Sequence, residues 1–289
     1  MRQQSTADRR RFLHVDVFGA ERFLGNPLAV IVDAVDLATD EMELITRWMN
    51  LSECAFLLPP TDPAADYRVR IFTLRGELPF AGHPTLGSCH AWMESGGEPR
   101  QAGAITQECG AGLVDLRPRD DGYAFRAPDL VRSGPVDPAF VRQLATILGI
   151  EIDDVVDSQW VDNGPGWVAV LLPDAATVLS LEPDFRRYTG PGGLDIGVVG
   201  PHLDRPDLAY ELRAFFSDDQ GSMVEDPVTG SLNASVAQWL LATGRVNAPY
   251  VASQGAALGR RGLIGIDQDS SGVWVGGSTT TITRGEIET

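Results

Sequence analysis

The sequence predicts an α+β fold with mainly antiparallel sheets, arranged as two similar domains. Three observations lead there. Strand-like runs outnumber helical ones and mostly occur as hairpins. Hydrophobic residues make up 43% of the 289 and charged residues 22%, the balance of a soluble globular chain rather than a disordered one. The two halves also echo each other at a fixed spacing.

The elements run in the following order. FLHVDVF (12–18) alternates as a strand, and GNPLAVIVDA (25–34) reads as a turn and a buried strand. TDEMELITRWMNL (39–51) reads as a helix with Thr39 as N-cap and Met42, Ile45, Trp48 and Met49 on its apolar face. CAFLLPP (54–60) and YRVRIFT (67–73) read as strands. HPTLGSCHAWMESGG (83–97) reads as a helix with proline in its first turn and Gly96-Gly97 at its end. Residues 105–128 read as a pair of hairpins, AFVRQLATILGI (139–150) as an amphipathic helix ended by Gly149, and WVAVLLP (167–173) and AYELRAFFS (209–217) as strands. SLNASVAQWLLATGR (231–245) reads as a helix, and 263–288 as strands joined by a DSSG turn. Arg9-Arg10-Arg11 reads as part of a short disordered basic leader. No apolar run follows it, as a secretory signal would require.

A shift of 143 residues sets Phe72 on Phe215, His83 on Asp226, Pro84 on Pro227, Gly87 on Gly230, Ser88 on Ser231 and Ala91 on Ala234. GNPLAV (25–30) is echoed more loosely by NGPGWVAV (163–170). The expected domains are 1–127 and 128–289, with the last strand free to pack back on the first. FAGHPTLGS (80–88) and EDPVTGS (225–231) both become strand-to-helix turns with proline near the helix start. Helix starts carry free N–H groups and the positive end of the dipole, so each is an anion site. A substrate carboxylate is the natural guest.

At those turns stand His83 and Asp226, a differing pair of titratable groups suited to proton transfer or substrate polarisation. Each could equally cap its own helix. Glu53, in NLSECAF, is flanked by apolar residues; desolvation there would raise its pKa and make it a usable base, though from these residues alone a surface-loop glutamate is the better reading. The three cysteines, Cys54, Cys89 and Cys109, have no CxxC spacing and point to neither a disulfide framework nor a zinc site. They suit a reducing cytoplasm. The chain has no phosphate-binding loop, dinucleotide fingerprint, nucleophile elbow or HExxH motif, so no metal is expected. A net charge of −17 argues against nucleic acid and anionic membranes as partners.

The phrases DVFGAERFLGNPLAVI, NLSECAFLLPP, YRVRIFTLRGELPFAGHPTLGS, VEDPVTGSLNAS, SQGAALGRRG and WVGGSTTTITRGEI span nearly the whole chain. In them the sequence resembles the phenazine-biosynthesis isomerase (PhzF-like) family, which shares its fold with diaminopimelate epimerase. The resemblance implies two pseudo-symmetric domains, each a curved sheet (a half-barrel) around a central helix, with the active site in the cleft between them. It implies a homodimer that needs no cofactor and no metal. It assigns Glu53 as the residue that takes a proton from one substrate carbon and helps return it to another, with His83 and Asp226 assisting. It assigns Ser52, Gly82, Gly230 and Ser231 to the substrate carboxylate.

The reading is therefore a cofactor-independent isomerase acting on a small carboxylic or amino acid. The alternatives are an amino-acid racemase or epimerase on the same fold, and a non-catalytic metabolite-binding dimer. The epimerase branch uses two opposed cysteines. Cys54 and Cys89 lie off the key turns and both in the first half, which disfavours that chemistry.

Overall fold

The computed structural model describes residues 8–188, 190, 193–217 and 223–289. Contacts divide the chain into two compact units. The first holds the chain up to Val17, Pro27–Phe125 and Ser278–Thr289; the second holds Phe18–Asn26 and Arg126–Gly277. Phe18–Asn26, placed by the sequence in the N-terminal domain, thus falls in the second unit.

Unit 1 contains β1 (Arg9–Val17), β2 (Asn26–Ile31), α1 (Thr39–Met49), β3 (Glu53–Leu58), β4 (Tyr67–Thr73), β5 (Gly76–Leu78), α2 (Gly82–Glu94), β6 (Ile105–Cys109), β7 (Gly112–Arg119) and β8 (Gly122–Arg126). β2 and β3 pair in parallel across α1, and β3 and β4 are antiparallel. β4 then carries β5 antiparallel at one end and β6 parallel at the other, followed by antiparallel β7 and β8. α2 packs against β1, β3 and β4, and is buried from Gly82 through Cys89, which explains why it shows little amphipathic pattern.

Unit 2 contains β9 (Arg132–Pro135), α3 (Pro138–Leu148), β10 (Asp157–Asp162), β11 (Val168–Leu171), α4 (Ala175–Ser180), β12 (Asp195–Pro201), β13 (Tyr210–Ser217), β14 (Met223–Asp226), α5 (Gly230–Ala242), β15 (Tyr250–Gln254), β16 (Gly262–Asp269) and β17 (Gly272–Glu288), whose far end belongs to unit 1. The ladder repeats step for step. β11 and β12 are parallel across α4, β12 and β13 antiparallel, and β13 carries β14 antiparallel and β15 parallel, followed by antiparallel β16 and β17. α5 is the buried helix here.

The register corrects the repeat read from sequence. Tyr67 of β4 lies opposite Gln107, and Tyr210 of β13 opposite Ala252, so the 143-residue shift relates β4 to β13, while their partners stand 145 apart. From the next turn onward it fails. Ile71 faces Leu78 and its counterpart Ala214 faces Asp226, while α2 begins at Gly82 and α5 at Gly230, a shift of 148. Between these paired positions the chain is five residues longer in unit 2, from Ala214 to Asp226, than in unit 1, from Ile71 to Leu78. His83 and Asp226 are therefore not equivalent: Asp226 stands where Leu78 does, and Ser231 where His83 does.

Two smaller corrections concern the surface. Arg9–Arg11 belong to β1 rather than to a leader, paired with Glu286–Glu288 of β17. Arg9 lies 3.7 Å from Glu286 and 3.6 Å from Glu288, a cross-strand charge match. Residues 1–7 of the expected leader lie outside those described. In α1 the cap is Ala38, whose N–H donates to Glu41 Oε2 at 2.8 Å, and Thr39 is the first helical residue. Met42, Ile45 and Met49 meet the core as expected, but Trp48 is 79% exposed, because buried Thr46 takes the inward position. Among the described residues no helix is long and apolar enough to cross a membrane.

Candidate active site

Each unit presents a polar cluster at the start of its buried helix. In unit 1, Cys54 and Phe56 of β3 join the apolar cluster with Met42 of α1. Strand alternation turns Glu53 to the opposite face, toward α2. There its Oε2 lies 3.5 Å from His83 Nε2, an approach longer than a good hydrogen bond. His83 is buried, and burial pushes its pKa down to about 3, so the imidazole is neutral at physiological pH. Ala81 stands at the N-cap of α2 and makes no side-chain bond to the helix start, where an Asp or Ser would supply one. By contrast, α3 is capped by Asp137, which accepts from Ala139 and Phe140. Ser52 is half-buried, one residue before β3.

In unit 2, Asp226 ends β14 and is buried. Thr229 Oγ1 donates to its Oδ2 at 2.6 Å and Asn26 Nδ2 to its Oδ1 at 3.1 Å. Gln254 ties the turn together: its Nε2 donates to the Asp226 carbonyl at 3.1 Å, and its Oε1 accepts from Thr229 N and from Asn233 Nδ2. Burial raises the Asp226 pKa to about 6, opposed by the bonds from Thr229 and Asn26. A carboxyl titrating there exchanges protons readily near neutrality. Ser231, in the first turn of α5, accepts a bond from Trp167 Nε1 at 3.1 Å, and its carbonyl accepts from Asn163 Nδ2 at 2.9 Å. No side chain caps α5, and Gly230 is buried at its start.

The structure thus joins Glu53, His83 and Gly82 in one cluster, and Asp226, Gly230 and Ser231 in the other. Sequence reasoning missed Asn26, Asn163, Trp167, Thr229, Asn233 and Gln254. Five of them sat in phrases already singled out, GNPLAV, NGPGWVAV, EDPVTGS and GSLNAS; Gln254 opens QGAALG, which carried the resemblance but no residue role.

The cysteines offer no reactive thiolate. All three are buried; burial pushes Cys54 up to about 12 and raises Cys89 and Cys109 as well. Cys54 lies on the α1 side of β3, away from Glu53. Among the described residues no three His, Cys, Asp or Glu side chains group to hold a metal.

A duplicated α+β scaffold with titratable side chains near two helix starts that lack side-chain caps sets the class of protein. The profile of the phenazine biosynthesis-like proteins (PhzC-PhzF) matches residues 15–285, and the chain belongs to that family. It is 34% identical over 294 residues to the "Antisense-enhancing sequence 1" protein of Schizosaccharomyces pombe, covering 95% of this chain and 97% of that one. It is 32% identical to the trans-2,3-dihydro-3-hydroxyanthranilate isomerase of Pseudomonas fluorescens, over 96% and 98% of the two chains. A solved PhzF-family structure from Enterococcus faecalis superposes with a TM-score of 0.78 at 23% identity, over 98% of this chain and all of that one, a likeness of fold.

Proposed function

We propose that the protein is an isomerase that moves a proton, and with it a double bond, within a small carboxylic or amino acid. The observation that carries this reading is Glu53 set 3.5 Å from a neutral, buried His83 at the uncapped start of α2. Glu53 serves as the base. His83 polarises the substrate and Asp226 exchanges a proton with it, consistent with its pKa of about 6. The amides at Gly82, Gly230 and Ser231, with Ser52, hold the substrate carboxylate. A proton shift of this kind consumes no oxidant and needs no cofactor. The protein works as a homodimer in the cytoplasm, which gel filtration and fractionation test separately.

The isomerase relative in Pseudomonas fluorescens names a first candidate substrate, trans-2,3-dihydro-3-hydroxyanthranilate. Turnover of this compound and of a panel of small unsaturated amino and carboxylic acids tests the reading. The expected result is turnover of at least one compound, lowered about 10²- to 10⁴-fold in Glu53→Gln. Binding without turnover across the panel would instead favour a metabolite-binding protein. A two-thiol racemase finds no support in the buried, protonated cysteines.

A further inference from the structure

The two matched ladders bring out a carboxylate that the proposed mechanism leaves unused. Glu53 opens β3 and lies opposite Thr73 of β4; the next residue, Cys54, pairs in parallel with Ala29. Asp195 opens β12 and lies opposite Phe216 of β13; the next residue, Ile196, pairs in parallel with Val168. Thr73 and Phe216 are related by the same 143-residue shift as Tyr67 and Tyr210. Asp195 thus holds in unit 2 the place that Glu53 holds in unit 1.

The faces agree as well. Ile196 and Val198 enter the apolar cluster with Leu144, Val178 and Phe215, so Asp195 and Gly197 look the other way. A Cβ on Gly197 would come within 2.3 Å of Leu232, so that face looks at α5. Asp195 Oδ2 lies 3.7 Å from where a Gly166 Cβ would stand. Gly166 precedes Trp167, whose indole N–H reaches Ser231. Asp195 is half-buried, within reach of solvent.

We propose that Asp195 is a second acid–base carboxylate, standing to the start of α5 as Glu53 stands to the start of α2; this rests on the isomerase reading. In the forward step a substrate C–H bond breaks, its electron pair stays on carbon and delocalises into the conjugated system, and the proton bonds to a carboxylate oxygen. In the return step that O–H bond breaks, its pair stays on oxygen, and the proton bonds to a different carbon.

The test compares wild type, Glu53→Gln, Asp195→Asn and Asp195→Glu in D₂O on trans-2,3-dihydro-3-hydroxyanthranilate and the panel, with NMR locating the deuterium. Asp195→Asn is expected to lower kcat about 10- to 10³-fold, to alter which carbon carries deuterium, and to remove one limb of the pH–rate profile. Asp195→Glu is expected to keep that limb at reduced kcat, which also serves if the Asn variant fails to fold. Wild-type kcat, labelling and pH profile in the Asp195 variants, with only a lowered Tm, would make Asp195 a turn-holding residue and overturn the proposal. In that case loss of activity in Glu53→Gln would leave the isomerase reading standing. Full activity in Glu53→Gln, or no labelling by wild type of any compound, would overturn the isomerase reading and this proposal with it.

Discussion

Unit 1 and unit 2 share one ladder but not one chemistry. At the last residue of the short strand, unit 1 has Leu78 and unit 2 has Asp226. In the helix's first turn, unit 1 has His83 and unit 2 has Ser231. At the strand opening beside the helix, both have an acid, Glu53 and Asp195. A duplicated backbone has kept its hydrogen-bond pattern, which many residues can satisfy, while single side chains at the helix starts have diverged. Packing has adjusted in parallel. Ala55 of β3 is matched by Gly197 of β12, and Pro84 of α2 by Leu232 of α5, so a lost methyl on the strand accompanies a larger residue on the helix.

The divergence gives the two clusters opposite responses to pH. His83 has its pKa lowered from 6.5 to about 3, so the unfolded chain binds a proton that the folded one refuses; stability is full above pH 6.5 and lost as pH falls toward 3. Asp226 has its pKa raised from 3.8 to about 6, so the folded chain holds the proton longer; stability is full below pH 3.8 and lost as pH rises through 6. In the wild type the two partly cancel between pH 4 and 6. Urea titrations across that window should uncover each one. His83→Gln should lose stability with rising pH and Asp226→Asn should gain it, each by on the order of 2 kcal/mol relative to wild type. Parallel curves for the three proteins would mean that neither group is desolvated as described.

The packing difference predicts a smaller effect. Gly197→Ala places a Cβ 2.3 Å from Leu232 and should cost about 1–3 kcal/mol. Adding Leu232→Ala should recover part of that loss, so that the double variant is more stable than the sum of the singles. Simple additivity would separate the two residues and weaken the volume exchange between the units. The smallest effect belongs to Trp48, whose counterpart helix α4 is only six residues long. Trp48→Gln should change stability by less than about 0.5 kcal/mol, since the side chain is 79% exposed. A larger loss by thermal denaturation would mean that this face is covered in solution.

Much of this was legible in the sequence. Strands β4 and β13, helices α2 and α5 and the two helix-start turns follow from alternation, proline position and glycine stops. Trp48 was misplaced because helical periodicity does not tell which of two adjacent stripes, one through Thr46 or one through Trp48, faces the core. The equivalence of His83 with Asp226 was misread because a fixed shift through small residues tolerates a five-residue insertion between two strands; the register of β5 and β14 exposes it. The bonds of Asn26 and Gln254 to Asp226 and of Trp167 to Ser231 link residues from 28 to 200 positions apart, a separation that no local pattern encodes.

The central claim is that Glu53 moves a substrate proton. Deuterium uptake from D₂O into the panel of small unsaturated amino and carboxylic acids, followed by mass spectrometry for wild type and Glu53→Gln side by side, tests it most directly. The account predicts uptake into at least one compound by the wild type and its loss in Glu53→Gln. Equal uptake by the two proteins, or none by the wild type into compounds it demonstrably binds, would contradict it.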